Sequence, residues 1–131
     1  MSPRGTALTF TVLGAGLIGT WCLLAFAAPR DDADGAWRLV LRFLWAAVPY
    51  AVVAVTARLL ARTPARRLVV LAGAGGIAVS GVAVLYDGLV RHPGPVAYAD
   101  ILLLPAYQLV LAFGVLLFVA ALTLRRPVPA P

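Results

Sequence analysis

The chain has 131 residues, of which 63% are hydrophobic and 12% are charged. Soluble domains average roughly 45–50% apolar and ~25% charged residues, so this composition excludes a soluble globular domain and indicates an integral membrane protein. The net charge of +6 comes from 11 arginines against five aspartates, without lysine or glutamate. Because the arginines lie at the ends of apolar runs, they favour a role in membrane topology over nucleic-acid binding. The all-arginine usage, beside abundant Ala, Gly, Val and Pro, favours a GC-rich bacterial source.

Four apolar runs follow one another and predict helices over residues 6–28, 38–61, 67–88 and 100–124. About 20 residues at a rise of 1.5 Å cross a hydrocarbon layer of ~30 Å, and each run reaches that length if Arg42 and Arg58 extend to the interfaces. The loops are short, so consecutive helices should be antiparallel neighbours. The prediction is one all-α, four-helix, up-down transmembrane bundle over residues 1–124, followed by a short Pro-rich cytoplasmic tail over 125–131.

The first run has some features of a signal peptide, since Arg4 precedes it and small residues end it. Its 23 uncharged residues exceed the usual ~7–15 residues of a signal-peptide core. We therefore expect a retained helix.

The arginines predict the orientation. Seven flank the N-terminus, the second loop and the C-terminus: Arg4, Arg58, Arg62, Arg66, Arg67, Arg125 and Arg126. Four flank the first and third loops: Arg30, Arg38, Arg42 and Arg91. The positive-inside rule then predicts a multi-pass protein of the plasma (inner) membrane with both termini in the cytoplasm. The interfacial aromatics agree, because Trp21, Trp37, Trp45, Tyr86 and Tyr98 fall towards the outer side.

Small residues at helical spacing are the candidates for helix packing. They are Gly14, Ala15 and Gly19 in the first run and Ala72, Gly76 and Ser80 in the third. Burial of apolar surface does not drive helix association in lipid, so helices associate mainly where small residues let their backbones approach closely. These faces predict tight packing inside one bundle or, alternatively, a contact between two chains.

Asp87, His92 and Asp100 bracket the third loop. Asp87 is interpreted as an ion-pair partner of Arg91 or Arg42, or alternatively as a contact for a proton, a cation or a substrate. Asp100 directly precedes the fourth run, where a carboxylate caps free amides. His92 has no second histidine and no ligand spacing typical of a metal site, so we predict neither metal nor cofactor.

Tyr107 and Gln108 are the deepest polar groups of the fourth run. Asp100, Leu104 and Gln108 share one helix face at four-residue spacing, with Tyr107 alongside. A glutamine in lipid needs partners and should face the bundle. It predicts either an interhelical hydrogen bond or a polar path from the outer surface.

The absence of a Ser/His/Asp set, a phosphate-binding loop and paired catalytic carboxylates disfavours an enzyme. We expect a non-enzymatic subunit or accessory protein that binds a second copy of itself or another membrane protein. The alternative is an oligomeric small transporter or channel component with an outer-facing polar entrance. Its candidate contacts for an ion or a substrate are Asp87, Asp100, Tyr107 and Gln108, with His92 beside them. A lipid-modifying membrane enzyme ranks third.

Overall fold

The computed structural model describes residues 4–26, 35–92 and 95–125, and these residues are almost entirely helical. The elements are α1 (Arg4–Phe26), α2 (Gly35–Leu60), α3 (Pro64–Tyr86), a π-helical turn (Asp87–Arg91) and α4 (Pro95–Leu124). The all-helical prediction is therefore confirmed. The predicted tail beyond Arg125 and the acidic first loop lie outside the described residues.

Within the described part of the chain, four helices are long and apolar enough to cross a membrane. The spans are Thr6–Ala25, Trp37–Leu60, Pro64–Arg91 and Leu103–Leu124. A helix satisfies its backbone hydrogen bonds within itself, which is what lipid demands of a spanning segment. The chain is thus consistent with a multi-pass membrane protein, as predicted.

The helices begin earlier than the hydropathy pattern predicted. The structure begins α2 at Gly35, α3 at Pro64 and α4 at Pro95, whereas the predicted starts were 38, 67 and 100. Hydropathy marks where lipid contact begins, whereas caps and prolines mark where a helix begins. At α3 the cap is Thr63, in an extended conformation, and its hydroxyl accepts a hydrogen bond from the Arg66 amide at 3.4 Å.

The early start of α4 corrects the role predicted for Asp100. This residue is the sixth in a helix that begins at Pro95, so it is too far along to cap the first turn. Its side chain lies outside the described residues.

Each helix packs on two or more others. The most extensive contacts are those of α1 with α3 and of α2 with α4, followed by α3 with α4 and α1 with α2, and α2 contacts α3 less extensively. Gly16 lets α1 approach α3, because a Cβ atom there would lie 2.5 Å from the Cβ of Ala78. Gly73 similarly receives Val115 of α4, whose Cγ2 would lie 2.5 Å from an added Cβ.

Two arginines after the α2 helix bind carbonyl groups at helix C-terminal ends. The Arg66 guanidinium donates from Nη2 to the carbonyl of Leu122 at 3.2 Å, and Arg67 donates from Nε to the carbonyl of Ala61 at 3.2 Å. The last carbonyls of a helix lack helical partners and carry partial negative charge. The α2–α3 connection and the end of α4 are thus joined by charge-assisted hydrogen bonds.

Candidate functional site

A cluster of polar side chains lies at the centre of the bundle, and one backbone carbonyl is its shared acceptor. The Ile77 carbonyl of α3 accepts from Gln108 Nε2 at 2.9 Å, from Ser80 Oγ at 3.1 Å and from Tyr50 Oη at a longer 3.5 Å. Gln108 Nε2 is also 3.4 Å from Ser80 Oγ. Tyr50 and Gln108 are each only 3% exposed. Helices α2 and α4 are therefore both bonded to the main chain of α3.

Thr20 extends the cluster to α1. Its hydroxyl donates to the Gly16 carbonyl at 2.8 Å and lies 3.1 Å from the hydroxyl of Tyr50. Since the Thr20 proton is used on Gly16, the single Tyr50 proton serves either Thr20 at 3.1 Å or the Ile77 carbonyl at 3.5 Å. The cluster thus has one polar side chain from each helix, and we call it the polar centre: Thr20, Tyr50, Ser80 and Gln108.

Gly81 makes the polar centre sterically feasible. A Cβ atom at this position would lie 2.8 Å from Tyr50 Oη, 2.9 Å from Gln108 Nε2 and 3.1 Å from Thr20 Oγ1. Real Cβ atoms essentially never approach a neighbour below 3.0 Å. The missing side chain therefore opens the α3 backbone to three polar groups from three other helices.

A cavity adjoins the polar centre, and all four helices line it. The lining residues are Thr20, Leu24, Arg42, Trp45, Ala46, Leu85, Leu104, Pro105 and Gln108. Its volume is about 20 Å³, which is room for roughly one water. We call this space the Arg42 cavity. Arginine is its single charged lining group among the described residues.

Gln108 presents an acceptor to this cavity. Both of its hydrogen bonds use the amide nitrogen, directed at Ile77 and Ser80. Its Oε1 atom accepts from no other residue in the described ranges, and the described part contains no fully enclosed side-chain N or O atom without a partner. Oε1 is therefore the polar atom that Gln108 leaves towards the Arg42 cavity.

The predicted residues around the third loop form a local, exposed group. His92 Nδ1 lies 3.2 Å from Asp87 Oδ1, and Arg91 Nη1 lies 4.0 Å from the same oxygen. The three side chains are 56–72% exposed. Of the two partners predicted for Asp87, the structure gives it Arg91, together with His92. Asp87 is not among the residues that line the Arg42 cavity.

Tyr107 and Gln108 point in different directions although they are adjacent. Tyr107 is 66% exposed on the outer surface of α4, while Gln108 is buried in the polar centre. The interhelical hydrogen bond predicted for Gln108 is present. Tyr107 is not part of the polar centre.

Of the small residues predicted for packing, some lie inside the bundle and others lie on its surface. Gly19 is close to Val82, since an added Cβ would lie 3.1 Å from its Cγ2, and Ser80 belongs to the polar centre. Ala15, Ala72 and Gly76 are exposed, and a Cβ at Gly14 would contact nothing within 4 Å. The exposed residues stay candidates for contact with a second chain.

Sequence reasoning did not single out Tyr50, Thr20 or Gly81 as site residues, nor Arg42 as a cavity residue. The available signal was the presence of polar side chains within the apolar runs, because such groups tend to turn inwards in lipid. That signal does not single out Thr20, since the first run also contains Thr9 and Thr11. Gly81 carries no comparable signal, since it is one of several glycines in the same run.

Within the part of the chain that the structure describes, no group of three or more His, Cys, Asp or Glu side chains is arranged to hold a metal ion. Comparison of the chain with protein-family models, curated proteins and solved structures finds no match to any of them.

Proposed function

We propose that this protein is a non-enzymatic interaction subunit of the plasma membrane, an up-down bundle with both termini in the cytoplasm. The cytoplasmic assignment follows from the arginines of the α2–α3 connection and of the chain ends. The Arg66–Leu122 hydrogen bond supports the up-down arrangement, because it places the start of α3 and the end of α4 at the same end of the bundle. At the other end Trp21 stacks on Phe43 with ring centroids 5.6 Å apart, in keeping with an interfacial aromatic belt.

The observation that carries the proposal is an open groove between α1 and α3 on the lipid-facing surface. Its volume is about 550 Å³. The lining residues are mostly small or β-branched: Val12, Ala15, Gly16, Ala78, Val79, Val82, Ala83 and Tyr86. Small residues let a second helix approach closely, and close packing is the main source of helix association in lipid.

The polar centre supports the same conclusion from the inside. Its members bond to one another and to the α3 backbone, which is the arrangement of a structural core. The groups that remain for contact with other molecules therefore lie mainly on the surface, where the groove is. Its partner is a transmembrane helix of a second copy or of another membrane protein.

The test fills the groove. Ala15→Leu should lower the mass of the detergent-solubilised assembly, because the added side chain occupies the space a partner helix needs. Ala121→Leu on α4, also exposed, is the matched control and should leave the mass unchanged. A wild-type chain that is strictly monomeric and carries no partner would contradict the proposal.

Cross-linking separates the two kinds of partner. In a Cys22→Ser background, Val79→Cys puts one thiol in the groove, and Val110→Cys puts one on α4 with similar exposure. A disulfide dimer from Val79→Cys alone indicates a second copy. A cross-link to a different protein indicates a heteromeric partner.

A second candidate is an oligomeric transporter or channel component, and the position of Gln108 at the Arg42 cavity favours it. The expected polar entrance would then run past Arg42 and Gln108 instead of Asp87 and Tyr107. Gln108→Leu should abolish solute flux into proteoliposomes while the bundle stays folded. Unchanged flux would remove this candidate.

A further inference from the structure

Arg42 is a cation in an unusual place. It is the eighth residue of α2, about 10 Å along the helix from Gly35, and it lies between Trp37 and Trp45. In the described part of the chain, neither a carboxylate nor a carbonyl group pairs with its guanidinium. A charged group at such a depth is stabilised only by a partner, by water or by reaching the interface.

The surroundings of Arg42 favour an anion. The described residues that line its cavity carry no negative charge. Asp87, the described carboxylate at this end of α3, is exposed and lies beside Arg91 and His92. A guanidinium offers several donors in one plane, a geometry that matches two oxygens of a phosphate.

The rest of the lining favours an amphiphile over a small hydrated ion. Leu24, Leu85, Leu104 and Ala46 are apolar and buried. A free phosphate would lose its water against these side chains at a high cost. A lipid already has its phosphate at the interface and its acyl chains among apolar groups.

We propose that Arg42 binds the phosphodiester of an anionic phospholipid at the mouth of the Arg42 cavity. The lipid's acyl chains stay in the bilayer beside the exposed Leu41 and Trp45 of α2, because the cavity itself holds only about one water. The inner end, where Gln108 presents Oε1, has room for about one water and none for a second headgroup. This site is separate from the α1–α3 groove, and neither proposal depends on the other.

The test uses Trp45 as a reporter, because it lines the same cavity. The full chain with Trp21→Phe and Trp37→Phe is reconstituted in vesicles of brominated phosphatidylglycerol or brominated phosphatidylcholine diluted into unbrominated lipid. Bromine quenches tryptophan fluorescence at contact. Both lipids carry a phosphodiester, but the choline cation of phosphatidylcholine opposes the Arg42 guanidinium. We therefore expect phosphatidylglycerol to occupy the site about fivefold more often, the scale of one arginine's attraction to an anionic lipid.

Two arginines on one helix give the control. Arg42→Gln should bring the two lipids to equal quenching, whereas Arg38→Gln, one turn away and exposed, should keep most of the preference. Arg42→Lys keeps the charge without the planar donors, so a reduced but measurable preference is expected. That variant also tests the proposal if Arg42→Gln does not fold, as judged by circular dichroism.

A third arm adds inorganic phosphate to the vesicles. Relief of quenching by phosphate, beyond that of chloride at equal ionic strength, would assign the site to a free anion and overturn the lipid proposal. If Arg38→Gln and Arg42→Gln lower the preference for phosphatidylglycerol equally, the preference arises from general surface charge, and the proposal of a site at Arg42 is overturned. No preference in the parent chain would also overturn it.

Discussion

The amide nitrogen of Gln108 lies 2.9 Å from the carbonyl oxygen of Ile77, so α4 is hydrogen-bonded to the main chain of α3. Lipid tails are as apolar as leucine, and apolar contact alone gives helices little reason to associate. A bond between a side chain and a backbone carbonyl fixes both the rotation and the depth of one helix against the other. Tyr50 reaches towards the same carbonyl from α2.

Gly81→Ala should destabilise the bundle by about 1–3 kcal/mol, the usual cost of overpacking. The new Cβ would meet Tyr50 Oη and Gln108 Nε2 at less than 3.0 Å, so at least one interhelical bond must shift. Gly75→Ala is the matched control, because a Cβ there has open space. It should be neutral or slightly stabilising, since alanine favours helices. Denaturant titration in mixed micelles measures both, and equal stability of the two variants would contradict the steric argument.

Gln108→Leu should cost roughly 0.5–2 kcal/mol, in line with interhelical hydrogen bonds in membrane proteins. The loss stays moderate because Ser80 still donates to the Ile77 carbonyl. Tyr107→Phe, on the neighbouring exposed residue, should change stability by less than about 0.5 kcal/mol. The same unfolding titration applies. If Tyr107→Phe lowered stability more than Gln108→Leu, the buried face of α4 would be the one that carries Tyr107, which would contradict the structure.

The apolar runs predicted the helices because lipid imposes the same requirement on every spanning segment. The inward direction of Gln108 was also predictable, since a buried amide in lipid needs partners. The start of α4 was not, because Pro95 lies within a loop-like sequence and the long charge-free run begins only at Ile101, after Asp100. Nor could the sequence reveal that Gly81, and not Gly76, faces the polar groups. Which glycine faces inwards depends on the rotation of α3 about its own axis, and the hydrogen bonds to the Ile77 carbonyl fix that rotation.

Arg66→Ala should loosen the last turn of α4, because its guanidinium binds the Leu122 carbonyl. The expected loss is about 0.3–1 kcal/mol, the usual size of a cation at a helix C-terminus. Arg58→Ala, at an exposed position in the last turn of α2, is the control. Hydrogen exchange should rise over residues 119–124 in Arg66→Ala alone. Equal exchange in both variants would show that the contact does not hold this turn.

Asp87→Asn should change stability by no more than about 1 kcal/mol, because exposed ion pairs contribute little. Arg91 and His92 can both turn to solvent when the carboxylate is removed. Folded yield and the unfolding midpoint in detergent provide the measurement. A loss of several kcal/mol would mean that Asp87 has a further partner that its exposed neighbours do not reveal.

The proposed orientation is checked with single cysteines in a Cys22→Ser background. Ala65→Cys, in the first turn of α3, should be protected from a membrane-impermeant thiol reagent in intact cells and labelled after lysis. Ala33→Cys, in the acidic first loop of the sequence, should be labelled from outside. The opposite pattern would invert the topology, and labelling of both would break the four-span arrangement.

The polar centre also sets an order of assembly during synthesis. Thr20 and Tyr50 leave the ribosome before α3, and their hydroxyls can bond as soon as α1 and α2 pair. The Ile77 carbonyl follows, and Gln108 is the last member to arrive. A chain arrested after α3 would therefore hold the Gly81 surface open to lipid, with polar atoms exposed to hydrocarbon. Insertion of α4 covers that surface, because the Gln108 amide then bonds to the Ile77 carbonyl.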